Sequence, residues 1–153
     1  MPLPLWLERR LGPLKRRPIR RGPFTLGHTT LGERGERAAA GYLKRLGYKI
    51  VFTRHRQRYG EVDIIAVDGK TVVFVEVKTR RDASRGRPAE AVDFHRQSRL
   101  TRAALAFLKS HGLLEHASRF DVVEAIWPEG QKRPAIRHMP NAFPAVGHGQ
   151  LFS

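Results

Sequence analysis

The chain has 153 residues, no cysteine and a formal net charge of +15 at pH 7, because its 29 Lys and Arg residues outnumber its 14 Asp and Glu residues. A chain of this length can bury one core, and the lack of cysteine excludes disulfides and thiolate metal sites and fits a reducing, cytoplasmic compartment. No apolar run reaches the ~18 residues of a membrane span. The positive charge predicts a nucleic acid partner, with a merely basic protein or one that binds acidic membranes as the alternative.

Residues 1–29 are predicted to form a flexible basic arm. They contain seven basic residues against one acid, Glu8, and four prolines precede Arg20. This composition is typical of chain that buries no core, and the stretch lacks the continuous apolar segment of a secretory signal. We predict that residues 30–143 form one domain and that residues 144–153 form an irregular tail.

Apolar spacing and turn signals predict six main elements in the order α-β-β-β-α-β. A further short strand is predicted over residues 135–139. Three sequential antiparallel strands followed by a helical crossover imply an α/β fold with a mixed β-sheet and helices on its faces. The six elements are a helix over 31–46, a strand over 48–54, a hairpin with two strands over 60–80, a helix over 92–110 and a strand over 119–127.

Four charged residues interrupt the apolar hairpin. The Asp-Gly pair at 68–69 predicts a two-residue turn, and counting outward from it places Glu61 opposite Glu76 and Asp63 diagonal to Glu76. Because side chains alternate along a strand, these three carboxylates share one face with Lys78. Two carboxylates at that spacing could reach one cation. The ordinary alternative is a solvated, salt-bridged hairpin end.

This element order, with Asp63 on one strand and Glu76-x-Lys78 on the next, resembles the PD-(D/E)XK nuclease superfamily, whose members have a restriction-endonuclease-like or Holliday-junction-resolvase-like core. More closely, the chain resembles the YraN-like bacterial family over about residues 31–143. Two positions depart from that family, His55 where Asn is usual and Arg96 where Lys is usual. The segments that carry the resemblance are 31–36, 60–66, 73–80, 119–123 and 141–143.

The resemblance implies a divalent-metal site. Asp63 and Glu76 would bind Mg²⁺ or Mn²⁺ together with the backbone carbonyl of Val77, since these ions prefer oxygen ligands. The metal would activate a water and neutralise charge on the scissile phosphate. Lys78 would orient or deprotonate that water, or hold a phosphate oxygen, and the sequence leaves these roles open.

Other residues are predicted to support the site. Glu36 would act as a third carboxylate, with helix N-terminal charge as the alternative, and Glu61 would have a ligating or positioning role. The residues predicted to contact nucleic acid, with a solvated loop and helix start as the alternative, are Arg80, Arg81, Arg85, Arg87, Arg96 and Gln97.

Two functions therefore fit the sequence. The first is a divalent-metal-dependent nuclease that cleaves phosphodiester bonds, and the second is a non-catalytic nucleic-acid-binding or DNA-processing accessory protein on the same fold. DNA is favoured over RNA, and the oligomeric state stays open, with a homodimer as one option. The histidines lack a tight zinc-binding pattern and no Walker A motif is present, so zinc and ATP chemistry have no support.

Overall fold

The computed structural model describes residues 3–12, 29–57, 59–83 and 92–147. Within these ranges, no helix is long and apolar enough to cross a membrane. The predicted order α-β-β-β-α-β is confirmed, with one helix added before it and a longer last strand. The elements are α1 (Leu5–Leu11), α2 (Leu31–Arg45), β1 (Lys49–Gln57), β2 (Gly60–Asp68), β3 (Thr71–Arg80), α3 (Phe94–Ser110), β4 (Ser118–Ile126) and β5 (Ala135–Phe143).

The five strands form one mixed sheet in the order β1-β2-β3-β4-β5. Neighbouring strands are antiparallel except β3 and β4, which are parallel. A parallel pair needs a long crossover, and α3 lies in the connection between these two strands. The α/β fold predicted from the sequence is confirmed and is consistent with a restriction-endonuclease-like core.

Each face of the sheet buries a separate apolar cluster. On one face Phe74 and Phe120 pack with Phe107 of α3. On the other face Ala39 and Leu43 of α2 pack against a second set of strand residues. Even-numbered positions of β3 and β4 face α3 and odd-numbered positions face α2, as strand alternation requires. Charged residues at even positions of β3 and β4 therefore lie on the α3 face.

Helix α2 begins with a capping box and lies very close to β3. The Thr30 side chain accepts a hydrogen bond from the Glu33 amide, and the Glu33 carboxylate accepts one from the Thr30 amide. A Cβ at Gly35 would overlap Oγ1 of Thr79. Glycine at position 35 thus allows α2 to pack directly on the strand that carries the candidate site.

Part of the predicted flexible arm is a helix that packs on the core. Leu7 of α1 is buried, Leu3 and Leu11 pack against the α3-side cluster, and the Trp6 ring stacks on His116 with 4.6 Å between centroids. The prediction of a flexible arm is therefore wrong for residues 5–11. Its apolar residues follow helical spacing, which the proline and charge content obscured. Residues 13–28 lie outside the described residues.

The start of the predicted tail also contacts the domain. Ala145 is buried, and the amide of Val146 donates a hydrogen bond to Oγ1 of Thr101 in α3. Residues 144–147 therefore continue the packed structure rather than leaving it. Residues 148–153 lie outside the described residues.

The hairpin register differs from the prediction by two residues. Ile64 pairs with Val75 and Asp68 pairs with Thr71, so the two-residue loop is Gly69-Lys70. A shift of two keeps every side chain on its face. It places Asp63, one residue before Ile64, across from the position after Val75.

Candidate functional site

Asp63 and Glu76 form the centre of the candidate site. They lie across the β2–β3 pair, next to its last registered residues, and not on the predicted diagonal. Oδ2 of Asp63 accepts a hydrogen bond of 2.8 Å from the amide of Val77. The Glu76 side chain is only 4% exposed. Burial and the negative charge of Glu76 together raise the pKa of Asp63 to about 7.

Arg96 at the start of α3 binds Glu76 with both ends of its fork. Its Nε donates to Oε1 at 3.1 Å and its Nη2 to Oε2 at 2.9 Å. Nη2 also donates to the backbone carbonyl of Glu61 at 3.1 Å. Asp93 caps the helix by accepting from the Arg96 amide. Arg96, predicted as a nucleic acid contact, is therefore bound to a candidate metal ligand.

Lys78 lies beside the same carboxylate. Its Nζ is 3.5 Å from Oε1 of Glu76, and its side chain is about one third exposed. Its position on β3, two residues after Glu76, places both side chains on the α3 face. The predicted juxtaposition of Glu76 and Lys78 is thus present, with part of the lysine side chain exposed to solvent.

Glu36 is near Asp63 but is held by another residue. Oε2 of Glu36 accepts a hydrogen bond of 2.6 Å from Nε of Arg54, whose Nη1 also contacts Glu33 at 3.2 Å. Arg54 adopts a left-handed backbone conformation with φ of 51°. The charge of Glu36 contributes to the raised pKa of Asp63, after burial and Glu76. A catalytic role for Glu36 stays a prediction.

The predicted supporting residues have local partners. Glu61 on β2 does not face Glu76. It pairs with Arg56 on β1, and Nε of Arg56 donates a hydrogen bond of 2.6 Å to Oε2 of Glu61. Gln97 donates from Nε2 to the carbonyl of Val92 at 2.8 Å, which closes the start of α3. Arg81 donates to the carbonyl of Trp127 at 3.3 Å. Arg85 and Arg87 lie outside the described residues.

The carboxylate oxygens of Asp63 and Glu76 suit a hard divalent cation, but the Arg96 guanidinium competes with a cation for Glu76. Within the described ranges, no group of three His, Cys, Asp or Glu side chains could hold a metal ion. Asp63 is partly buried and Glu76 is buried, and a cation would relieve the repulsion between their carboxylates. Mg²⁺ commonly takes one or two carboxylates and keeps several waters. Arg96 already occupies both oxygens of Glu76. A metal at Glu76 would therefore have to share or displace the guanidinium.

Sequence reasoning missed Glu124 and Arg137. Glu124 is buried on β4 in register with Lys78, and Arg137 is its neighbour on β5. Oε2 of Glu124 is 3.6 Å from Nε of Arg80, and Oε1 is 3.7 Å from Nη1 of Arg137. The sequence did contain one signal for this pair, an acidic residue within the apolar run of β4, because a buried acid needs a partner.

The family model for the Uncharacterised protein family UPF0102 matches residues 35–125. The chain belongs to this family. The resemblance to YraN-like proteins is therefore confirmed. A UPF0102 protein of Geobacter sulfurreducens is 52% identical over 113 residues, which are 74% of this chain and 88% of that protein. Another from Rhodopirellula baltica is 46% identical over 120 residues, 76% of this chain and 72% of that protein.

The region matched by the UPF0102 model contains the whole candidate site. Asp63, Glu76 and Lys78 lie well inside it, as does Arg96, and Glu124 lies one residue before its end. Helix α1 and strand β5 lie outside it. Family membership alone does not give the chemistry of the site, which has to be argued from the site's own contacts.

Replacing Asp63 with asparagine should make the metal-free protein more stable above pH 7. The ordinary Asp pKa is about 3.9. With a folded-state pKa of about 7, Asp63 takes up a proton on folding between about pH 4 and pH 7. The free energy of unfolding therefore falls as the pH rises through that window, and Asp63→Asn removes this loss. Urea unfolding in EDTA at pH 5.5 and pH 8 measures this. The Glu129→Gln variant, which removes an exposed acid, should keep the parent's pH dependence, whereas an unchanged dependence in Asp63→Asn would contradict the prediction.

Proposed function

We propose that this UPF0102 chain binds nucleic acid and hydrolyses its phosphodiester bonds with the help of a divalent metal ion. The observation that carries the proposal is the pair formed by the partly buried Asp63 and the buried Glu76, in which the pKa of Asp63 is raised to about 7, with the Lys78 ammonium beside it. Perturbed carboxylates next to an accessible cation are typical of catalytic sites. DNA is the proposed substrate in preference to RNA.

The residues have separate roles in this proposal. Asp63 and Glu76 would hold Mg²⁺ or Mn²⁺, with the carbonyl of Val77 as the further predicted ligand. The metal, when bound, supplies Lewis acidity toward the phosphate. Lys78, with its ammonium 3.5 Å from Oε1 of Glu76, is placed to hold a phosphate oxygen or to orient a water. Arg96 has the fork geometry to bind phosphate once it leaves Glu76.

The net charge of +15 supports a polyanionic substrate. Neutralising phosphates releases counterions, which favours association and makes it dependent on salt. An active site at one end of the sheet, bordered by Arg80 and Arg81 at the end of β3, would meet the backbone of the bound strand.

One observation favours the accessory-protein alternative. The Arg96 guanidinium donates a hydrogen bond to each oxygen of Glu76, so Arg96 can serve as the partner of this carboxylate in place of a metal ion. In that alternative the charged face binds nucleic acid and nothing is cut.

The deciding experiment is a cleavage assay on a panel of linear, flapped and four-way-junction DNAs and on RNA. Each is incubated with the protein and Mg²⁺, Mn²⁺ or EDTA. We expect cleavage of at least one DNA that requires metal and is lost in EDTA. An Asp63→Asn, Glu76→Gln double variant purified in parallel controls for contaminating nucleases. Binding without metal-dependent cleavage of any substrate would favour the accessory protein instead.

A further inference from the structure

A second group of charged residues lies one strand away from Lys78. Glu124 on β4 is in register with Lys78 on β3 and with Arg137 on β5. Glu124, Lys78 and Arg80 occupy even positions, so their side chains lie on the α3 face together with Glu76. The face thus continues from the candidate site across the sheet toward the edge strand β5.

Glu124 is buried in an unusual way. Its side chain is 1% exposed, and within the described residues neither carboxylate oxygen has a hydrogen-bond partner. Its nearest cations are Nε of Arg80 at 3.6 Å and Nη1 of Arg137 at 3.7 Å. A buried carboxylate without hydrogen bonds is costly, and among the described residues Glu124 forms its ion pairs with these two arginines.

The two arginines keep donors that Glu124 does not use. A guanidinium has five N–H groups, and neither Arg80 nor Arg137 donates a hydrogen bond to Glu124. The Arg137 side chain is 47% exposed, so its outer edge is accessible to a ligand. The carboxylate between the arginines offsets their mutual repulsion, which lets two guanidinium groups converge on one place.

We propose that Arg80 and Arg137, oriented by the buried Glu124, form a second phosphate subsite for the nucleic acid backbone next to Lys78. This inference rests on the proposed function, since the phosphate it binds belongs to the same strand that reaches Asp63 and Glu76. Glu124 is a positioning residue and touches no phosphate itself. Paired arginines suit phosphate oxygens by charge and by fork geometry.

The subsite is tested by whether DNA affinity rises or falls when the negative charge of Glu124 is removed. Glu124→Gln removes a negative charge, so the net charge alone predicts tighter binding of DNA. The subsite predicts the opposite, because the arginines lose the group that orients them. We expect Glu124→Gln to weaken binding about tenfold, the equivalent of one charge-assisted contact. The matched control, Glu129→Gln, removes an exposed acid and should bind unchanged or more tightly.

The measurement is fluorescence anisotropy with a labelled 20-base-pair DNA in EDTA over a range of salt concentrations. Each phosphate contact contributes about 0.9 to the slope of log affinity against log salt. Glu124→Gln and Arg137→Gln should each lower that slope by about one, and combining them should add little. Arg133→Gln, an exposed arginine before β5, controls for the loss of one positive charge. A purely structural Glu124 would change the unfolding temperature and leave the slope unchanged.

The outcomes separate the two proposals. A parent protein that binds DNA, with Glu124→Gln behaving as Glu129→Gln does, would overturn the subsite and leave the proposed function intact. A parent protein that does not bind DNA at all would overturn both. Should Glu124→Gln not fold, the comparison of Arg137→Gln with Arg133→Gln decides, and equal losses of affinity and slope in those two would overturn the subsite.

Discussion

The Lys78→Ala variant should lose metal-dependent cleavage by ~10²–10⁴-fold while it still binds metal and nucleic acid, since a positioned charge or general base commonly contributes that much to the rate. The change removes the ammonium that lies 3.5 Å from Oε1 of Glu76 and leaves both proposed carboxylate ligands in place. Single-turnover cleavage of the best substrate from the panel measures the rate. Calorimetry with Mn²⁺ and anisotropy with uncut DNA measure binding.

Lys70→Ala is the matched control for that variant. Lys70 lies in the exposed loop of the same hairpin, so its removal changes the net charge equally and leaves the site intact. It should cleave at nearly the parent rate. If Lys78→Ala instead cleaves as fast as Lys70→Ala does but unfolds at a lower temperature, Lys78 is a structural partner of Glu76 and has no part in catalysis.

The face of the hairpin was predictable from the sequence, but the register was not. Any shift by an even number of residues keeps Asp63, Glu76 and Lys78 together, so strand alternation alone brings them to one face. The Asp-Gly signal fits a turn at residues 68–69 as well as one at 69–70. Matching apolar residues across the strands would have decided it, because the observed register pairs Val67 with Val72.

The contacts that define the site's chemistry depend on long-range packing. Arg96 reaches Glu76 only because α3 crosses the sheet at that end, which no local pattern specifies. The partners of Glu124 come from two neighbouring strands, and the parallel register of β4 set their positions. Helix α1 was missed because composition was averaged over the whole arm, whereas the burial of Leu7 depends on spacing within seven residues.

A buried charged network lies at the start of β4, where Arg-Phe-Asp at 119–121 belongs to another of the segments that resemble the YraN-like family. The Asp121 side chain is fully buried. Its oxygens accept hydrogen bonds from Nε of Arg119 at 2.9 Å and from the amide of Asn141 at 3.0 Å, and Oδ2 lies 2.8 Å from Nε2 of His138. The Arg119 guanidinium continues to Tyr48 and to Asp68. One carboxylate therefore connects β4 with β5, and through Arg119 with β2.

Replacing Asp121 with alanine should destabilise the fold by about 2–4 kcal/mol, because it removes a fully buried carboxylate that accepts hydrogen bonds from Arg119 and from the amide of Asn141. Asp68→Ala is the matched control, since Oδ2 of Asp68 also accepts from Arg119, at 3.0 Å, but its side chain is 45% exposed. We expect a loss of at most about 1 kcal/mol there. Urea unfolding at pH 7 measures both, and equal losses would show that the shared contact with Arg119, rather than burial, sets the effect.

The pH dependence of stability gives a second measure of the role of Asp121. Burial opposes ionisation of Asp121, yet the hydrogen bonds from His138, Arg119 and Asn141 hold its pKa below the usual range. The parent should therefore keep this stabilisation above about pH 4 and lose it as the pH falls through the folded-state pKa, whereas Asp121→Ala should lack that acid-dependent loss.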